Sequence, residues 1–116
     1  MTIDDGIMVA SHHEFETWLA TKSHLERDVW TIIFDKASKK QTVRLDELIE
    51  SGLCWGWVDH LSRKIDEERY GVRFVPRRPG SNWSPRNRAT ACRLIAASRM
   101  QPVGSKALPP DLVCPE

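Results

Sequence analysis

The residues best placed for chemistry lie in one short segment, Pro76-Arg77-Arg78-Pro79-Gly80-Ser81-Asn82-Trp83-Ser84-Pro85-Arg86-Asn87. Ser84-Pro85 reads as an N-cap followed by proline at the first helical position. The backbone N–H groups of that helix's first turn therefore stand beside two guanidiniums, a combination suited to phosphate or carboxylate. The candidate anion contacts are Arg77 and Arg78, with Trp83 as an apolar wall and Ser81, Ser84 and Asn87 as polar partners. Arg69 and Arg73, on the wet face of the preceding hairpin, join the candidate set. The competing reading is architectural: Ser81, Ser84 and Asn87 only cap the helix and lock the loop. Asp59 adds a constraint, because it shares the parity of Trp57 and Leu61 and is expected to point inward. A buried carboxylate is costly unless paired, and a structural ion pair of Asp59 with Arg77 or Arg78 is the expected remedy.

Other chemistries are weaker. His12, His13, His24, His60 and the cysteines show no C-x-x-C or H-x-x-x-H spacing, so neither a metal site nor a cofactor is expected. Cys54 with His60 and Asp59 could be drawn as a nucleophile set, but Cys54 closes an amphipathic helix and reads as a buried structural cysteine. Nucleic-acid association is the leading alternative. Arg69, Arg73, Arg77, Arg78, Arg86, Arg88 and Arg93, interleaved with Tyr70 and Trp83, could contact phosphates and stack on bases. Helix geometry weakens it: at 100° per residue Arg86 and Arg93 fall on one side of the last helix, with Arg88 and Arg99 roughly opposite.

The chain has 116 residues and a formal charge of +1, enough for one domain with one modest core. That average hides a partition of −5 over residues 1–62, +7 over 63–99 and −1 over the remainder. The excess marks an anion-binding face, or else the acidic half folds against the basic half and neutralises it. No apolar run approaches the roughly 18 residues of a membrane span, so no membrane insertion is expected. No secretory signal is visible at the N-terminus. Together with three widely spaced cysteines (Cys54, Cys92 and Cys114), this suggests reduced thiols in a cytoplasmic protein.

The elements that must carry these residues follow from periodicity. Ser11-His12-His13-Glu14 has capping-box spacing, and Phe15, Trp18 and Leu19 trace a helix to about Lys22. Val29–Phe34 is β-branched and aromatic on both faces, as a covered or central strand is. Asp35–Lys40 is a polar connection. Leu45, Leu48, Ile49 and Leu53 trace a second helix, with Gly52 or Gly56 as terminator. Trp57–Ile65 and Arg69–Phe74 alternate as a hairpin, and a third helix runs from Ser84-Pro85 to about Met100. The expected fold is α+β, of order α-β-α-β-β-α, with helices packed on a three-stranded sheet that includes the hairpin. Residues 1–10 are expected as an extension, 11–104 as the domain, and 105–116 as a Pro-rich, irregular tail.

The segment Leu53-Cys54-Trp55-Gly56-Trp57-Val58-Asp59, then Asp66, Arg69-Tyr70, and Arg73-Phe74-Val75-Pro76-Arg77-Arg78-Pro79-Gly80-Ser81-Asn82-Trp83-Ser84 with Asn87, resembles the bacterial YdeI/OmpD-associated family, often labelled bacteriocin-protection. The resemblance extends over about residues 12–104. His60 departs from the usual small residue, and Ser98 stands where a glycine tends to precede the Arg-Met pair. Pro109-Pro110-Asp111-Leu112 is similar to the opening of a helical region found in longer members. The resemblance implies a link to protection against bacteriocins or antimicrobial peptides and supplies no catalytic residues. Residues and resemblance together point to a binding or accessory module, not an enzyme. Its partner is unknown, with an anionic small molecule or an acidic protein segment as the classes that fit.

Overall fold

The run Val29–Phe34 becomes strand β2 of a computed structural model that describes residues 3–35, 38, 40, 43–78 and 80–115. Five of its six residues are buried, as an interior strand with apolar side chains on both faces requires. Strand β1 (Ile7–Met8) pairs with it in parallel and β4 (Arg69–Pro76) antiparallel, while β3 (Trp57–Lys64) completes the order β1-β2-β4-β3 as an edge of the sheet. The sheet thus has four strands, not the three expected. Two residues are too few to show alternation, so β1 left no signal in the sequence. The segment expected as an N-terminal extension supplies it.

Helices α1 (His12–Lys22) and α2 (Leu45–Cys54) cover one face of the sheet. Phe15, Leu19 and Leu48 pack there against Val29, Ile33, Val72 and Phe74, and the Phe15 and Phe74 ring centroids are 4.8 Å apart. Ser11 caps α1, its Oγ accepting from Glu14 N–H at 3.4 Å. The Glu14 carboxylate reaches back to Ala10 N–H at 2.7 Å, one residue earlier than a capping box prescribes. Gly56, at φ +77°, turns the chain from α2 into β3.

Helix α3 (Pro85–Ala96) begins as expected, with Ser84 Oγ accepting from Asn87 N–H at 3.1 Å. It ends four residues before Met100. Ser98 adopts φ +58°, and Ser98 N–H and Arg99 N–H donate to Ile95 O and Leu94 O, both at 3.0 Å. These are the paired bonds of a Schellman ending. The chain then forms a further short helix, α4 (Pro102–Lys106), so the order expected from sequence gains an element at each end. Gly104 of α4 seats against the end of α2, where a Cβ would lie 2.0 Å from Cys54 O. The expected polar connection Asp35–Lys40 lies partly outside the described residues, as does Pro79.

The hairpin forms, with one irregularity. Asp59 lies opposite Phe74 and Leu61 opposite Arg73, so His60 is an extra residue that shifts the register. Past this bulge Leu61 no longer shares the parity of Trp57. Asp59 does share it, yet its side chain is exposed, because only Trp57 of edge strand β3 is buried. Among the described residues Asp59 forms no ion pair with Arg77 or Arg78, and the expected inward-pointing pair is not made.

Candidate functional site

Where β4 ends, the chain is held at once: Arg77 N–H donates to Gly56 O at 2.8 Å, and Ser81 N–H closes a turn onto Arg78 O at 3.1 Å. Gly80 in that turn has φ +75°, the left-handed region that favours glycine. The Arg77 guanidinium then organises the loop. Its Nη1 donates to Ser81 Oγ at 3.1 Å and Asn82 O at 3.0 Å, and Cζ lies 4.0 Å from the centroid of the Trp83 ring. Burial lowers the Arg77 pKa from its ordinary value, while the charge of Asp59 acts in the opposite sense. Arg88 supports the same loop from α3, with Nε donating to Trp83 O at 3.4 Å and Nη2 to Asp111 Oδ1 at 3.3 Å.

These residues form one wall of a cleft of about 780 Å³. Trp55, Gly56, Trp57 and Pro76 line it, as do Val103, Lys106 and Ala107 of α4 and Leu108 to Asp111 beyond it; Ala20, Ser23 and His24 close the side toward α1. Its cations are Arg77, Arg78, Arg88 and Lys106, against the single carboxylate of Asp111. Arg88 already pairs with that carboxylate. Arg78 and Lys106 are exposed, and among the described residues neither has a carboxylate partner. Indole and proline surfaces beside unpaired cations suit a ligand with an apolar body and an anionic group.

Of the residues expected at the site, Arg77, Arg78, Ser81 and Trp83 line this cleft. Ser84 and Asn87 do not line it and serve the start of α3. Arg69 and Arg73 lie elsewhere. Arg73 is paired across the sheet with Trp30 and Arg69 with Phe34, on the face away from α1 and α2. Arg73 Nε donates to Asp28 Oδ2 at 3.0 Å, and Arg69 grips Asp66 at 2.8 Å. Alternation separates them from the loop arginines, so hairpin and loop do not make a joint basic surface. Sequence reasoning missed Trp55, Trp57, Lys106 and the Leu108–Asp111 wall. The Trp-Gly-Trp triplet was the available signal for the first two.

Cys54 is fully buried, and burial pushes its thiol up to about 11. His60 and Asp59 are exposed, so the three form no nucleophile set. Cys92 and Cys114 are joined in a disulfide, against the expectation of three reduced thiols. The segment after α4 folds back along α3 and brings their Cα atoms to 5.3 Å, a proximity that spacing along the chain could not reveal.

Three arginines of the basic segment, Arg73, Arg93 and Arg99, pair with acids of the acidic one. Arg93 reaches Glu50 at 2.9 Å, and Arg99 lies 3.5 Å from Glu50 and 3.7 Å from Glu16. No described helix is long and apolar enough to cross a membrane. No curated protein and no solved structure gives a significant match to the chain. Residues 7–107 match the model of the family described as Domain of unknown function (DUF8412), and the chain belongs to that family.

Proposed function

We propose that this member of the DUF8412 family is a binding module whose Trp- and Arg-lined cleft receives an anionic group carried on an apolar body, either in a small molecule or in the acidic segment of another protein. The observation that carries this reading is the pair of exposed cations, Arg78 and Lys106, lining the same cleft as Trp83 without a carboxylate partner among the described residues. Arg77 contributes differently: with its hydrogen bonds committed inside the loop, it holds Trp83 and the backbone in place. The reading is of binding, since four cations and three indoles line the cleft and the buried Cys54 thiol lies outside it. The segment that resembles the YdeI/OmpD-associated family supplies much of the cleft, including Trp55, Trp57, Arg77, Arg78 and Trp83. A part in bacteriocin or antimicrobial-peptide protection belongs to the same proposal: the cleft would take a carboxylate-bearing stretch of such a peptide.

Calorimetric titration with aromatic carboxylates, inorganic phosphate and acidic peptides tests the proposal. Saturable binding is expected for at least one class. Arg78→Ala and Lys106→Ala should each weaken it by about 1.5–3 kcal/mol, roughly ten- to a hundredfold in affinity. Both side chains are exposed, so folding should be unaffected. Failure of every class to bind, or binding indifferent to both substitutions, would overturn it. Salt-dependent retention on duplex DNA or RNA would instead favour the nucleic-acid alternative. The ion pairs that neutralise Arg73, Arg93 and Arg99 argue against that outcome.

A further inference from the structure

We propose that His12, His13 and Glu16 hold a divalent transition-metal ion of the zinc class, at a site separate from the arginine-lined cleft. One donor atom from each lies within 4.8 Å of the others at the start of α1. His12 and Glu16 are one helical turn apart and share a face. Their far atoms are held from other parts of the fold. His12 Nδ1 lies 3.5 Å from Glu47 Oε2 of α2, and Glu16 Oε1 lies 3.7 Å from Arg99 Nη2, just beyond α3. Glu47 is itself anchored, its Oε1 accepting from Arg44 N–H at 3.2 Å. What remains is His12 Nε2 and Glu16 Oε2, 3.8 Å from each other.

That arrangement is the one a metal-bound histidine requires. A carboxylate on Nδ1 keeps the proton there, fixes the ring and leaves the Nε2 lone pair for the ion. Zinc bonds of about 2.0–2.2 Å to nitrogen and oxygen place donors roughly 3.3 Å apart in tetrahedral geometry. The observed separations come within reach of this by small side-chain rotations, and the exposed His13 ring already lies with its centroid 4.1 Å from that of His12. Two imidazoles and one carboxylate select zinc, cobalt or nickel over calcium or magnesium. Three protein ligands leave a coordination position open toward a hollow of about 640 Å³, lined in part by Trp55, Arg99 and Gln101. Water or an anionic group fits that position, with the Arg99 guanidinium nearby.

Without a metal, the same contacts leave the His12 ring between the carboxylates of Glu16 and Glu47. Titration of the disulfide-bonded 116-residue chain with Co²⁺ separates the two readings. Under the metal reading one ion binds per chain, with visible absorption bands that Zn²⁺ abolishes by displacement. His13→Ala is expected to weaken binding at least tenfold, and its exposed position makes it safe for folding. Glu47→Gln should lower affinity by about 10–100-fold while one ion is still bound. Absence of Co²⁺ and Zn²⁺ binding at millimolar metal would overturn the proposal. So would binding that survives unchanged in the His12→Ala/His13→Ala double variant, since the ion would then sit elsewhere.

Discussion

The Arg77 guanidinium is half-buried, lies 4.0 Å from the centroid of Trp83 and donates to Ser81 Oγ and Asn82 O. One ion thus fixes a loop whose prolines and glycine bar regular structure, and in the proposed reading it holds Trp83 beside Arg78 and Lys106, which have no carboxylate partner among the described residues. Cys54 is a contrasting case. Its thiol is moved from an ordinary 9.0 to about 11 because burial disfavours the thiolate. An acid group held protonated in the fold contributes stability that is present in full below its unfolded pKa and is lost as pH rises through the folded one. Here that window runs from pH 9.0 to about 11. Thermal unfolding of wild-type protein and Cys54→Ala across this range should show a steeper loss for the wild type. Parallel pH curves would mean that Cys54 titrates normally.

At the scale of elements, endings matter more than interiors. Periodicity carries α3 toward Met100, but Ser98 at φ +58° stops it after Ala96. The left-handed region costs a residue with a Cβ about 1–2 kcal/mol, and glycine pays no such strain. Ser98→Gly is therefore expected to stabilise the protein by about 1 kcal/mol, after the greater flexibility of glycine in the unfolded chain is deducted. A shift of the denaturant midpoint to higher concentration at constant slope checks this, and a shift to lower concentration would show that the ending is held by other means. The bulge at His60 has a comparable local effect: one extra residue moves Leu61 to the face opposite Trp57, while Asp59, ahead of the bulge, is exposed because β3 is an edge strand.

Over the whole molecule, the −5 and +7 segments fold onto each other. Arg73 meets Asp28, Arg93 meets Glu50, and Arg99 meets Glu16 and Glu50. The partly exposed pairs to Glu16 and Glu50 add little stability each, and Asp28 is buried, but all of them consume charge that would otherwise form a basic surface. The second long-range tie is Cys92–Cys114, which pins the segment after α4 against α3. Closing a loop across 22 residues is worth about 3 kcal/mol by chain entropy. Reduction with dithiothreitol should lower unfolding free energy by that order while the sheet remains formed by circular dichroism. Cys92→Ser should already sit at the lower value and ignore the reductant. Equal stability in both states would mean that the cross-link itself contributes nothing to the fold.

Much of the architecture follows from local rules that act within a few residues. The stripes of α1 and α2, the two-faced β2, the alternating hairpin and the Ser84-Pro85 helix start are all legible, because 3.6- and 2-residue periods and capping chemistry are written in neighbouring side chains. The loop arginines and Trp83 were legible as a candidate site for the same reason. Other features depend on residues far apart in the chain. Two-residue β1 exists only because β2 offers it an edge, and Gly104 is seated by the end of α2. Cys92 finds Cys114, and Glu47 finds His12, only once helices pack. Sequence by itself determined the elements and the cations of one loop. Tertiary packing decided which other arginines of the basic segment are already neutralised, because the acids that pair with Arg73, Arg93 and Arg99, namely Asp28, Glu50 and Glu16, lie 43 or more residues away.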